Sequence, residues 1–270
     1  MSLNQRFSKL NAFIHLIRYW QWQEKIQTIT IAGLLLLIYT QSFFSQHKNL
    51  LILIFYLHVA FSYGYLLNSL GDRQKDLLIG RNHFGKFSEN FIKILLIILG
   101  CATLAIPLIF RDTRITAINV FCVFLASVYS LKPWHLKERG GAGLLVATLT
   151  QRLPFLFFLS LLPNHTVFIL FLFGWLLLVS LLVELAHQSS DYNNDVKTQT
   201  HSFLTRIGKQ KAIDIIRSTF YLLIVYLALP IILCPVTYKL PIVSLSAILF
   251  IFSHNSIQYA LSQISHLKRE

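Results

Sequence analysis

The chain has 270 residues, 55% hydrophobic and only 13% charged, with a formal net charge of +13. That balance excludes a disordered chain and argues against a soluble one. The bases are not gathered into a basic domain, which argues against nucleic acid as a partner.

Residues 1–25 mix Arg6, Lys9, Arg18 and Lys25 with Phe13, Ile14, Ile17, Trp20 and Trp22. This is the composition of an interfacial amphipathic helix with an aromatic anchor, and it lacks the compact apolar core of a signal peptide. A helix needs roughly 20 apolar residues to cross the hydrocarbon core. The expected crossings lie at about 26–44, 50–70, 91–110, 115–131, 142–162, 167–186, 213–234 and 240–261. The expected fold is therefore all-α, a polytopic transmembrane helical bundle of about eight crossings. It forms one bundle over residues 26–265, followed by a basic tail, 266–270. Cys101, Cys122 and Cys234 fall in or beside separate apolar runs, without CxxC or Cys/His pairing, and support neither a disulfide framework nor a zinc site.

Charge placement orients this bundle. Basic residues number four in 1–25, four in 71–90, three in 132–140, four in 188–212 and two in the tail, against four in the turns between. That asymmetry obeys the positive-inside rule and puts loops 71–90, 132–140 and 188–212 on the cytoplasmic side. The expected setting is a bacterial cell inner membrane, with these loops capping an active site.

Those loops hold most of the polar residues that carry chemistry. Asn68, Asp72 and Asp76 recur at a four-residue step, which stacks them on one helix face. Asp191 and Asp195 repeat the step, preceded by Glu184, His187 and Gln188. Stacked carboxylates at a membrane surface are costly without a cation. Two oxygen-donor sets suit Mg²⁺, which takes few protein ligands and completes its shell with water and phosphate. Lys132, Lys137 and Arg139 of the second loop, with Arg81 of the first, suit a diphosphate as counter-charges. Arg152 interrupts an apolar crossing, where an arginine faces a cavity or an acidic partner such as Glu184. An internal salt bridge explains it as well as a substrate role. His58, Asn119 and the His254-Asn255-Gln258 group are expected to make interhelical hydrogen bonds.

These motifs resemble the UbiA superfamily of intramembrane prenyltransferases. Its first motif, Asn-Asp-x-x-Asp-x-x-x-Asp, is matched by Asn68, Asp72 and Asp76, with Ser69 replacing the first aspartate. Its second, Asp-x-x-x-Asp, is matched by Asp191 and Asp195, with Gln188 where an acidic or polar residue precedes it. The Tyr-Ser-x-x-Pro-x-x-x-Lys loop is matched by Tyr129, Ser130, Pro133 and Lys137, with one residue of slack and an added Lys132. The family's Gly and Thr after the second motif are absent, and its usual ninth crossing finds no counterpart among the eight expected here.

The resemblance implies transfer of an isoprenyl group from a prenyl diphosphate to an acceptor, an aromatic quinone or pigment precursor, in the lipid bilayer. It implies Mg²⁺ held by Asn68, Asp72, Asp76, Asp191 and Asp195. Lys132 and Lys137, with Asp191, would act on the leaving diphosphate. Arg81, Arg139, Arg152 and Tyr129 would bind substrates, the tyrosine facing an allylic cation. A UbiA-like terpene cyclase and a transferase to a sugar or glycerol phosphate are the rival enzymes. An ion-coupled carrier would place its charges near the midplane in repeated halves, whereas these cluster at one surface.

Overall fold

The computed structural model describes residues 11, 13–14, 16–78, 80, 87–233 and 239–269. Most of these residues are helical, with no strand among them. In chain order the helices are α1 Tyr19–Tyr39, α2 Phe43–Leu78, α3 Glu89–Ala105, α4 Thr113–Ser130, α5 Gly141–Thr150, α6 Phe158–Leu161, α7 Thr166–Lys197, α8 Phe203–Ile207, α9 Lys209–Leu233 and α10 Lys239–Arg269. Short 3-10 turns at Ile106–Phe110, Leu136–Glu138, Leu153–Phe157 and Pro163–His165 complete the path.

Among the described residues five helices are long and apolar enough to cross a membrane: Phe43–Leu78, Glu89–Phe110, Thr113–Ser130, Pro163–Lys197 and Lys209–Pro230. A sixth span follows if Gly141–Thr150 and Leu153–Leu161 count as one. These six are the second to seventh crossings expected from sequence. The first and eighth coincide with α1 and α10, which fall outside this set. Gln21, Gln23, Glu24, Lys25 and Gln27 dilute α1, while the first residues of α10 lie outside those described in full. Both expected boundaries also move: α1 begins at Tyr19 and runs unbroken through Lys25.

The contacts divide the chain into two compact units, residues 1–136 with 153–170, and residues 137–152 with 171–270. In the first unit α2 packs against α1, α3 and α4. Leu16, Leu66 and Ile92 form a core joined by Phe13, Leu70 and Leu95. Trp22, expected as an interfacial anchor, is buried, with its indole N–H donating to the Ile17 carbonyl at 2.7 Å. Buried polar atoms must find partners inside a bilayer. The Tyr56 hydroxyl donates to Asn119 Oδ1 at 2.8 Å, and Asn119 Nδ2 donates to the Thr103 carbonyl at 3.0 Å. Asn119 thus makes the interhelical contact expected of it. His58 instead lies 2.8 Å from the Ile54 carbonyl of its own helix. Outward, Phe44, Leu51, Phe55, Ile97 and Phe124 are exposed, as lipid contact requires.

In the second unit α9 packs against α10 and α8. The Trp175 indole donates to Ser253 Oγ at 2.9 Å, tying α7 to α10. Phe171 and Tyr226 stack with centroids 5.2 Å apart, and the tyrosine hydroxyl donates to the Phe171 carbonyl at 2.8 Å. Gly174 makes room for that hydroxyl, because a Cβ there would overlap Tyr226 Oη. His254 and Asn255, expected to make interhelical bonds, are exposed. They sit on a face of α10 shared with Phe250, Ile251 and Phe252.

Candidate active site

The first acidic set sits on α2 itself. The sequence suggested a loop from residue 71, but the helix continues to Leu78. Gly71, which reads as a breaker, serves a close approach instead: a Cβ there would overlap the Ser130 carbonyl. With no side chain at that point, α2 lies directly against the end of α4 and carries its acidic face past the apolar stretch. Asn68, Asp72 and Asp76 therefore occupy successive turns of one face. Asp72 is buried, and Asn68 and Asp76 are half-buried.

Two oxygens of this turn have no hydrogen-bond partner among the described residues: Asn68 Oδ1 and Ser69 Oγ, both buried. The serine departs from a pattern. The helix hydroxyls of Ser62, Thr103, Ser127, Thr148, Ser189 and Ser253 each bond back to the carbonyl four residues earlier. Ser69, only 1% exposed, lies in the same kind of helix without that bond, as does buried Ser246 of α10. A buried acceptor without a donor is costly, so such atoms mark places where a ligand or water belongs.

The loop after α4 runs beside this face. His135 has φ 39°, a left-handed conformation, and its amide donates to the Leu131 carbonyl at 2.8 Å. This turn sets His135 Nε2 3.8 Å from Asp72 Oδ1, with the two side chains 12% and 7% exposed. Tyr129 is half-buried on the last turn of α4, and Lys132, which precedes a cis Pro133, is exposed. Arg73, one residue along from Asp72, reaches elsewhere, to Glu89 at 2.7 Å.

The second acidic set sits in the second unit, at the end of α7, which continues to Lys197 where a loop from residue 188 was expected. Asp191 and Asp195 are both half-buried, and Gln188 Oε1 is a buried acceptor with no hydrogen-bond partner among the described residues. The helix closes with a Schellman turn, in which Gln199 adopts φ 53°, Thr200 N–H bonds the Asp195 carbonyl at 2.7 Å and Gln199 N–H bonds the Val196 carbonyl at 3.2 Å. Lys209 lies over the Tyr192 ring, 5.4 Å from its centroid, and the Tyr259 hydroxyl lies 3.1 Å from His187 Nδ1.

Lys137 is half-buried and Arg139 is exposed; both belong to this unit. Their loop is stapled by Arg206, whose Nη2 donates to the Glu138 carbonyl at 2.9 Å. Arg152, at the break after α5, is 2% exposed. Its neighbour Gln151 engages α7, accepting from Ser180 Oγ at 3.2 Å and donating to Glu184 Oε2 at 3.4 Å. Glu184, suggested as the partner of Arg152, is thus reached by Gln151. Arg81 lies outside the described residues.

Both acidic sets are oxygen donors, the chemistry of a hard cation. Among the described residues no three His, Cys, Asp or Glu side chains form a closed metal cage. A hard ion such as Mg²⁺ takes one or two carboxylates and completes its shell from water or phosphate. Sequence reading missed Gly71 and His135. The glycine left a signal, an unbroken polar face on either side of it; the histidine, far from Asp72 in sequence, left none.

No curated protein matches the chain. Among solved structures, a UbiA homolog from Archaeoglobus fulgidus bound to GPP and Mg²⁺ superposes with a TM-score of 0.66 at 14% identity, over 94% of this chain and 99% of that one. The same homolog bound to DMAPP and Mg²⁺ gives the same figures, 0.66 and 14%. A digeranylgeranylglyceryl phosphate synthase gives 0.63 at 20% identity, over 97% of this chain and 94% of that one. These likenesses establish the fold. The sequence profile of the UbiA prenyltransferase family matches residues 28–267. The chain is therefore a multi-pass membrane protein that belongs to the UbiA prenyltransferase family.

Proposed function

We propose that the protein transfers an isoprenyl group from a prenyl diphosphate to a small-molecule acceptor within the bilayer, with Mg²⁺ as cofactor. One observation carries this reading. Each unit presents a pair of carboxylates at helical i,i+4 spacing, and each pair lies beside buried side-chain oxygens with no hydrogen-bond partner among the described residues: Asn68 and Ser69 by Asp72, Gln188 by Asp191. Such a donor set fits Mg²⁺, and the Archaeoglobus homolog binds prenyl diphosphates with that ion. Bound Mg²⁺ supplies charge stabilisation on the diphosphate oxygens as the carbon–oxygen bond breaks.

The chain's own residues would do the rest. Asn68, Asp72 and Asp76 hold Mg²⁺ in the first unit, and Asp191 and Asp195 hold Mg²⁺ in the second. Lys132, Lys137 and Arg139 neutralise the departing diphosphate, with Arg81 as a further counter-charge. Tyr129 offers its ring to the allylic cation. Apolar helices house the prenyl tail and exclude the water that would quench that cation. Arg152 holds an anionic group of the acceptor. The acceptor is an aromatic quinone or pigment precursor, and the setting is a bacterial inner membrane with the acidic helix ends on its cytoplasmic side.

The test is incubation of purified protein with radiolabelled prenyl diphosphates of several lengths, with and without Mg²⁺. Aromatic acceptors, a glycerol phosphate and no acceptor are compared. Mg²⁺-dependent label in an aromatic product is expected. A cyclised hydrocarbon without acceptor, or label only on glycerol phosphate, would replace the aromatic assignment. No Mg²⁺-dependent consumption of any prenyl diphosphate would remove the reading altogether.

A further inference from the structure

We infer that His135 is a positioning residue that sets the Asp72 carboxylate for the divalent cation. The inference rests on the metal reading above and adds a residue that no sequence motif names. Asp72 is buried near the end of α2, and a carboxylate there needs partners to hold its direction. His135 Nε2 stands 3.8 Å from Asp72 Oδ1, within ion-pair reach and about one ångström longer than a charge-assisted hydrogen bond.

Three features deliver the imidazole to that place. The absence of a Cβ at Gly71 brings the end of α4 against α2 one residue before Asp72. The Leu131 carbonyl accepts the His135 amide and closes the turn that leaves α4. His135 itself takes a left-handed conformation, φ 39°, uncommon outside glycine. A strained backbone that places a nearly buried ring beside a buried carboxylate is a positioning device. With its Nε2 facing Asp72 at 3.8 Å, the ring is placed to close on one carboxylate oxygen when the ion takes the other. Partners of this kind fix ligand direction, and their loss costs about 10–100-fold in metal affinity or activity.

The experiment compares purified wild type with His135→Phe, which keeps a ring but no N–H, His135→Gln, which keeps an N–H donor, and Asp72→Ala. Mn²⁺ binding is read directly by electron paramagnetic resonance of the free ion, and the Mg²⁺ dependence of prenyl diphosphate consumption is read beside it. His135→Phe should weaken Mn²⁺ binding and raise the KM for Mg²⁺ about 10–100-fold, with kcat at saturating Mg²⁺ within about threefold. His135→Gln should recover most of that loss. Wild-type Mn²⁺ affinity in His135→Phe, or a fall in kcat with unchanged metal dependence, would overturn the inference. If Asp72→Ala also binds Mn²⁺ as wild type does, the metal reading itself fails. Should His135→Phe not fold, His135→Gln decides alone: Mn²⁺ affinity more than about 30-fold below wild type would contradict the donor role.

Discussion

The acidic ends of α2 and α7 carry the same four-residue step and are held by different means. On α2 the carboxylate is fixed by tertiary packing: Gly71 against the Ser130 carbonyl, Ser69 buried, His135 beside Asp72. On α7 the acidic turn is fixed by its own helix end, where the Schellman turn at Gln199 takes the Asp195 carbonyl. Asp72 is buried while Asp191 and Asp195 are half-buried. A packed set tolerates little change around it, whereas a set at a helix end depends on local backbone geometry and is more open to adjustment.

The largest expected effects treat the two ends alike. Asp72→Ala and Asp191→Ala should each lower prenyl transfer by about 10²–10³-fold, the usual cost of removing one electrostatic stabiliser. Both variants should remain folded in membranes. The comparison sharpens at the backbone. Gly71→Ala should destabilise the first unit by about 1–3 kcal/mol through overpacking against a main-chain carbonyl that cannot rotate away. Thermal unfolding in detergent checks it, and a wild-type melting temperature would deny that α2 is held by this contact. Asn119→Ala, which removes two buried hydrogen bonds of the same unit, should cost about 0.6–1.7 kcal/mol.

At the other end the sign reverses. Gln199→Gly should stabilise the α7 terminus by up to about 1–2 kcal/mol, because glycine carries no penalty at φ 53°. Any loss of stability in that variant would remove the Schellman account.

The smallest effect lies away from both sites. The Asp112 carboxylate caps α4, accepting from the Arg114 and Ile115 amides at 2.7 and 3.4 Å. The Arg114 side chain beside it holds its pKa below the usual carboxylate value. A lowered folded pKa gives stability that is present above the unfolded value, about 3.9, and lost as pH falls through the folded one. Asp112→Ala should cost about 1 kcal/mol at neutral pH. That difference should fade below about pH 4. A mutant deficit that persists undiminished at lower pH would show that the cap is not acting through its charge.

Much of this was legible in sequence, for identifiable reasons. Apolar runs marked the second to seventh crossings because length and composition alone make a span. The steps from Asn68 to Asp76 and from Asp191 to Asp195 could be read as helical faces because helix periodicity is local. Where the helices stop was not legible. Gly71 looks like punctuation until its contact with Ser130 is known, and Gln199 lacks the glycine that announces a helix end. His135 was invisible because its value lies in a neighbour 63 positions away. Asn119 and Asn255 look alike as intramembrane amides, yet one is buried between Tyr56 and Thr103 and the other is exposed. Only packing separates them.

Both acidic ends are expected to serve the same reaction, Mg²⁺-dependent prenyl transfer. The direct measurement is the initial rate of Mg²⁺-dependent prenyl transfer for wild type, Asp72→Ala, Asp191→Ala and the double variant. Groups acting as a unit are not additive. Each single variant should lose about 10²-fold or more, and the double variant little beyond either. A wild-type rate in either single variant, or losses that simply multiply in the double, would contradict it.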